Sequence, residues 1–168
     1  MQNTMAREIV LVAHDIRSAH NVGAFFRTAD GAGVAKIYLT GYTMTPSTKK
    51  YLLTQAEKQI KKTALGAEKS MPWEKREDVL ALIQELKNKG FYCCMLEQDQ
   101  RSIPYNSEEL QQHRKIALLV GNEVEGVSDD VLREGDAILE IPMRGTKNSL
   151  NVSVATGIAL YALQDNTR

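Results

Sequence analysis

Ile116-Ala117-Leu118-Leu119-Val120-Gly121-Asn122-Glu123-Val124-Glu125-Gly126-Val127-Ser128-Asp129-Asp130 is the stretch from which the fold is read. Five unbroken apolar residues, Ile116 to Val120, have the character of a central parallel strand covered on both faces. A turn flanked by Gly121 and Gly126 follows. Ser128 is then placed to cap a short helix, with Asp129 and Asp130 in its first turn, where acidic groups suit the helix dipole. Strand, glycine-flanked turn and helix make one unit of an α/β fold.

The same alternation extends in both directions. Upstream, Phe91 to Leu96 reads as a strand. Before it, Lys75 to Lys89 reads as an amphipathic helix with Val79, Ile83 and Leu86 on one face and Gly90 as its stop. Lys36 to Thr40 and Glu8 to Ala13 are further strands. Asn21 to Gly33 is a helix ended by Gly31 and Gly33. Downstream, Ala137 to Ile141 is a strand closed by Pro142, and Asn151 to Leu163 is the last helix. The polar stretch from Gly41 to about Ser70 is a loop or lid candidate, with Tyr51 to Lys62 able to form a helix. The class is α/β, with a mostly parallel sheet and helices on both faces.

The chain has 168 residues, 43% of them hydrophobic, which suits one well-buried domain spanning 1–168. Its 21 basic and 21 acidic side chains cancel, so any nucleic-acid surface must be local. The only cysteines, Cys93 and Cys94, are neighbours on a strand and point to opposite faces, which argues against a disulfide between them. Met1 to Arg7 is short and polar, unlike a secretion signal, and no apolar run is long enough to span a bilayer. A reducing cytoplasmic setting is expected. Neither His nor Cys spacing suggests a metal site.

Three segments carry candidate chemistry. In His20-Asn21-Val22-Gly23-Ala24-Phe25-Phe26-Arg27, Asn21 stands where a side chain can cap a helix and Arg27 lies inside it. Read plainly, that is a capped helix with a surface arginine. In Gly121 to Ser128 a buried strand opens into a loop where α/β sheets bind ligands, and Gly121 permits close approach to the backbone. The third segment, Ile141-Pro142-Met143-Arg144-Gly145-Thr146-Lys147-Asn148-Ser149-Leu150-Asn151-Val152-Ser153, is a strand end running through a basic, amide-rich loop into a helix. Such a loop can hold an anion, or simply supply turn residues and a cap.

Taken in order, the three segments resemble the motifs of the SpoU/TrmH branch of the SPOUT methyltransferases. Asn21 with Arg27 is similar to the first, Gly121-Asn122-Glu123 with Gly126-Val127 to the second, and Ile141-Pro142-Met143 through Ser149-Leu150-Asn151-Val152-Ser153 to the third. The resemblance covers nearly the whole chain. It implies a C-terminal trefoil knot, over approximately 91–165, that binds S-adenosylmethionine. It also implies methylation of a ribose 2′-hydroxyl in tRNA or rRNA, and a homodimer. The cofactor pocket would be lined by the loops after the strands ending at Leu96, Val120 and Ile141. The residues expected there are Leu96, Val120, Gly121, Asn122, Gly126, Ile141, Met143, Ser149 and Leu150. Asn21, Arg27, Glu123, Ser149 and Asn151 are expected at the catalytic centre.

An arginine stays charged at physiological pH and is a poor base, so the role expected of Arg27 is to grip an RNA phosphate and steady a developing alkoxide. His14, His20 and His113 are alternative bases by type, His20 the most tempting beside Asn21. Within the stretch from 49 to 62, five lysines (Lys49, Lys50, Lys58, Lys61 and Lys62) face one acid, Glu57. That cluster is either a solvated helix face or a phosphate-tracking patch, to which Arg17, Arg27, Arg144 and Lys147 would add. Apolar residues run nearly all round the last helix, which needs cover on the side away from the sheet. A non-catalytic RNA-binding protein would keep the fold but has no need of Asn21 and Arg27 together. A dinucleotide oxidoreductase would need a G-x-G-x-x-G after its first strand, which is lacking.

Overall fold

The computed structural model describes residues 7–165. The reading of Met1 to Arg7 as no secretion signal therefore rests almost wholly on residues outside those described. The elements run β1 (Glu8–His14), α1 (Ala19–Gly31), β2 (Lys36–Thr40), α2 (Gln55–Ala64), α3 (Ala67–Ser70) and β3 (Trp73–Arg76). They continue through α4 (Val79–Asn88), β4 (Tyr92–Leu96), β5 (Ile103–Pro104), a 3-10 turn (Glu108–Gln112), β6 (Lys115–Val120), α5 (Asp129–Glu134), β7 (Ala137–Glu140) and α6 (Val152–Asp165).

The seven strands form one parallel sheet in the order β3-β2-β1-β6-β4-β7-β5. β6 is inserted between β1 and β4, and β7 between β4 and β5, so the chain returns twice into gaps between strands already laid down. The apolar run of β6 sits near the centre, as its composition predicts. Its side chains alternate: Ile116, Leu118 and Val120 face one core with α1, α2 and α6, while Ala117 and Leu119 face a second core with α4 and α5. The cysteines obey the same alternation, Cys94 in the first core and Cys93 in the second, both free and buried. Burial pushes the Cys93 thiol up to about 12.

Three expectations change. The helix predicted over Lys75 to Lys89 begins only at Val79, because the Asp78 carboxylate accepts from Ala81 N at 3.0 Å and caps it there. Trp73-Glu74-Lys75-Arg76 instead pairs with β2 as an edge strand, and its charges suit an edge. Asn21 does not cap α1. Ser18 does, its hydroxyl accepting from Asn21 N at 3.3 Å, and this frees the Asn21 amide for other contacts. Ser128 precedes α5 but makes no side-chain capping bond to it. At the other end of α1, Gly33 at φ 70° closes the helix. Gly33 N donates to Asp30 O at 3.1 Å and Val34 N to Ala29 O at 2.9 Å, the paired bonds of a glycine-terminated helix.

α2 lies against α1 at a contact only glycine allows. A Cβ on Gly23 would fall 1.9 Å from Thr63 Oγ1 and 2.4 Å from Ile60 O. The Thr63 hydroxyl donates to His20 O at 3.0 Å across the same contact. At the amino ends of the strands, buried Arg7 spreads its guanidinium over the carbonyls of His113 (2.9 Å), Leu110 (3.0 Å) and Leu163, clamping the end of α6.

Candidate active site

The carboxyl ends of β4, β6 and β7 open into a cavity of about 460 Å³, a size suited to a nucleoside-type ligand. Interposed strands make this the point where chain connections diverge, the usual place for a ligand in an open α/β sheet. Its wall near β6 is the loop Gly121 to Val127, folded back on itself. Gly126 N donates to Asn122 O at 3.0 Å, and Asn122 Oδ1 accepts from Val124 N and Glu125 N, both at 2.8 Å. Gly121 is required there, since a Cβ would meet Gly126 O at 2.7 Å. Glu97, just past β4, accepts from Val127 N at 3.0 Å and pins the loop from across the cavity. The loop after β7 is tied down by Gln98, whose amide donates to Asn148 O at 2.6 Å.

Eight of the nine residues expected to meet the cofactor line this cavity: Leu96, Gly121, Asn122, Gly126, Ile141, Met143, Ser149 and Leu150. Val120 does not. It is the last residue of β6, fully buried, with its side chain in the core beneath. Glu97, Asp99, Glu125, Asp129 and Glu140 also line the cavity, with apolar Leu132, Leu139 and Ala155. Apolar walls suit an adenine ring. The carboxylates suit a ligand carrying positive charge, such as a sulfonium and an ammonium group. The lining therefore fits S-adenosylmethionine.

Glu123, in the cavity wall, anchors a polar network with Asn21 and Asn151, which do not themselves line the cavity. Glu123 accepts from Arg17 N, Ser18 N and the Asn21 amide, each at 2.9 Å. Burial pushes its carboxyl upward, but those donors outweigh it and hold it below its ordinary value. Asn21, itself buried, accepts from the Asn151 amide at 3.3 Å. Asn151 Oδ1 in turn accepts from Ser153 N at 2.9 Å at the start of α6. Asn21 of the first segment thus joins Glu123 of the second to Asn151 of the third. Ser149, like Glu123, is in the cavity wall.

Arg27 is not part of this cluster. It lies on the outer side of α1 in a shallow depression with Lys62, Leu65 and Tyr161, and does not line the cavity. Six residues along a helix turn a side chain about 120° away, so Asn21 and Arg27 point in different directions. Lys49, Lys50, Lys58, Lys61 and Lys62 are exposed, and none of them lines the cavity. Lys49 and Lys50 stand in the irregular segment before α2, whereas Lys58, Lys61 and Lys62 are on the helix itself, so the cluster is not one continuous helix face. Arg17, Arg144 and Lys147 are exposed too. Among the histidines, His113 stacks on Tyr92 at the amino end of β4, the far end from the cavity. His14 is bonded to Thr40 Oγ1 at 2.9 Å, and burial lowers its pKa. His20 is exposed on α1. No group of three or more His, Cys, Asp or Glu side chains is placed to hold a metal among the described residues. Nor, among them, is any helix long and apolar enough to cross a membrane. Glu97 and Asp99 belong to none of the three sequence segments. Their signal was position alone, directly after a strand expected to end at the site.

Residues 8–161 match the family described as the SpoU rRNA Methylase family. The chain belongs to that family. Among its SpoU relatives is a tRNA (guanosine(18)-2′-O)-methyltransferase of Aquifex aeolicus, 34% identical over 94% of this chain and 69% of the relative. The solved structure of an A. aeolicus TrmH/SpoU tRNA modifying enzyme superposes with a TM-score of 0.79 at 29% identity, over 97% of this chain and 77% of that one. An AdoMet-bound rRNA methyltransferase from Sinorhizobium meliloti superposes with a TM-score of 0.82 at 25% identity, over 96% of this chain and 57% of that one. A Staphylococcus aureus relative described as a TrmH family tRNA/rRNA methyltransferase is 30% identical over 90% of this chain and 56% of its own length, so this chain spans little more than half of it.

Proposed function

We propose that this chain is an S-adenosylmethionine-dependent RNA methyltransferase acting on a ribose 2′-hydroxyl, with tRNA or rRNA as substrate. The observation that carries the proposal is the cavity at the ends of β4, β6 and β7, whose wall residue Glu123 is joined through Asn21 to Asn151. A relative described as a tRNA (guanosine(18)-2′-O)-methyltransferase, and a neighbour solved with AdoMet, support it.

S-adenosylmethionine would supply the methyl group as a sulfonium-bound electrophile. Leu96, Ile141 and Leu150 would hold its adenine, with Gly121 letting backbone groups come close. The region of approximately 91–165 would be the knotted cofactor-binding part of a single domain spanning 1–168. Glu123, held by three donors, would fix the site's geometry rather than serve as the base. Asn21 and Asn151 would orient the ribose, and Ser149 would hold the nucleotide from the cavity wall.

Arg27 requires a second copy. On α6 the apolar side chains Val154, Ile158 and Tyr161 recur at helical spacing and are 50%, 37% and 49% exposed. Tyr161 shares its depression with Arg27. A homodimer closed over this face would cover the apolar residues and carry Arg27 of one protomer toward the cavity of the other. There its charge would grip a phosphate and stabilise the alkoxide as the hydroxyl loses its proton. Lys58, Lys61 and Lys62 on α2, with Lys49 and Lys50 in the segment before it, would follow the RNA backbone. Two buried, free cysteines are consistent with a cytoplasmic home.

Calorimetry with S-adenosylhomocysteine, paired with sedimentation, tests this reading. One site per subunit and a particle of twice 18.7 kDa are expected. No binding at millimolar ligand would overturn it.

A further inference from the structure

We propose that Tyr42 is a stacking platform for a base of the RNA substrate, placed beside the reacting nucleotide and wired to the cofactor loop. The inference rests on the RNA-methyltransferase reading above.

Tyr42 follows the carboxyl end of β2 and is 56% exposed, yet its backbone and its hydroxyl are both held. Its backbone N–H donates to Asp15 Oδ1 at 3.0 Å. Its hydroxyl oxygen accepts from the Asn122 amide, which also donates to Asp15 O at 3.1 Å. The adjoining backbone is fixed as well. The Lys75 ammonium donates to the carbonyls of Gly41 and Thr43, the latter at 2.9 Å. Gly41 sits at φ 59°, and a Cβ there would fall 1.8 Å from Asp15 Oδ1. Asp15 itself holds a left-handed conformation, φ 52°, a strain that persists only where surrounding contacts enforce it.

This arrangement holds the ring still at the surface. It fixes an aromatic ring against water where a core would gain nothing from it. A nucleobase gains from such a surface, because stacking needs only a ring held still and is tolerant of base identity. The location agrees. Asn122, which holds the Tyr42 hydroxyl through its amide, also shapes the cofactor wall through its carbonyl oxygen. Exposed Arg17, two residues beyond Asp15 in sequence, is a charge available to a phosphate. A base seated on Tyr42 would therefore press on Asn122, a side chain that belongs to the cofactor wall.

The test compares Tyr42→Ala, Tyr42→Leu and Tyr42→Phe in the full chain with S-adenosylhomocysteine bound, measuring affinity for bulk tRNA at fixed salt. Tyr42→Phe keeps the ring and should bind within about twofold of wild type. Tyr42→Ala and Tyr42→Leu should lose about 5- to 150-fold, the range base–aromatic stacking commands. Equal affinity of Tyr42→Leu and wild type would overturn the inference while leaving the methyltransferase reading intact. Equal losses in Tyr42→Phe and Tyr42→Leu would overturn it too, since the hydroxyl anchor and not the ring would then matter. Wild-type protein that neither binds nor methylates RNA would overturn both.

Discussion

Replacing Glu123 with alanine removes the acceptor for three donors at once. Two are the backbone N–H groups of Arg17 and Ser18, at the turn into α1, where water can take over part of the bonding. Each then costs about 0.5–1.5 kcal/mol net. The third is the amide of buried Asn21, which loses a charged partner at a cost of about 1–3 kcal/mol. Local relaxation brings the combined loss to about 2–4 kcal/mol. For a chain of this length that is a fall in Tm of about 5–15 °C. Glu123→Gln keeps one acceptor oxygen and should lose about half as much. The pH dependence has a definite sign. The Glu123 carboxyl is held below its ordinary value of 4.5, so its contribution is complete above about pH 4.5 and fades as pH falls through the lower folded value. Thermal melts of wild type and both variants across pH 3 to 7 should show a gap that is widest near neutrality and narrows in acid. A Glu123→Ala melt within 1 °C of wild type at pH 7, or a gap indifferent to pH, would refute the reasoning.

Gly23→Ala should cost about 1–3 kcal/mol by forcing α2 off α1, and should weaken RNA binding while leaving S-adenosylhomocysteine affinity unchanged in calorimetry. Neutralising Lys58, Lys61 and Lys62 should lower the magnitude of the log–log salt slope of RNA binding by roughly 0.7–0.9 for each phosphate that is no longer neutralised; an unchanged slope would return them to a solvated face. Arg27→Ala should leave cofactor affinity intact and lower the single-turnover rate at saturating RNA by about a hundred- to a thousandfold, with Arg27→Lys recovering only part. Co-expressed heterodimers of Arg27→Ala with a cavity-dead Gly121 variant should recover one working site if Arg27 acts across the interface, and none if it acts within its own chain.

Much of the fold could be read from local pattern. β6 announced itself because a strand buried on both faces is apolar at every position, and the loops at Gly121 and Ile141 to Asn151 followed from where such strands end. β3 could not be read this way. Trp73 to Arg76 has charged residues and a helical neighbour, and only its pairing with β2, set by distant residues, makes it a strand. The order of strands, with β6 and β7 inserted between earlier ones, is equally invisible to periodicity. In the site, Asn21, Glu123 and Asn151 could be named singly, but their mutual bonds required the three loops to converge. Glu123 accepts from a turn more than a hundred residues away in sequence. Arg27 shows the reverse. Helix geometry alone places it on a different face from Asn21, and the structure keeps the two apart.

Methyl transfer by the purified chain to RNA from cells lacking it tests the central claim most directly. After incubation with S-adenosylmethionine, digestion to nucleosides and mass spectrometry should reveal a 2′-O-methylnucleoside, resistant to alkaline cleavage at its 3′ side and absent without the protein. Methylation found only on a base, or no transfer by protein that binds both S-adenosylhomocysteine and RNA, would contradict it.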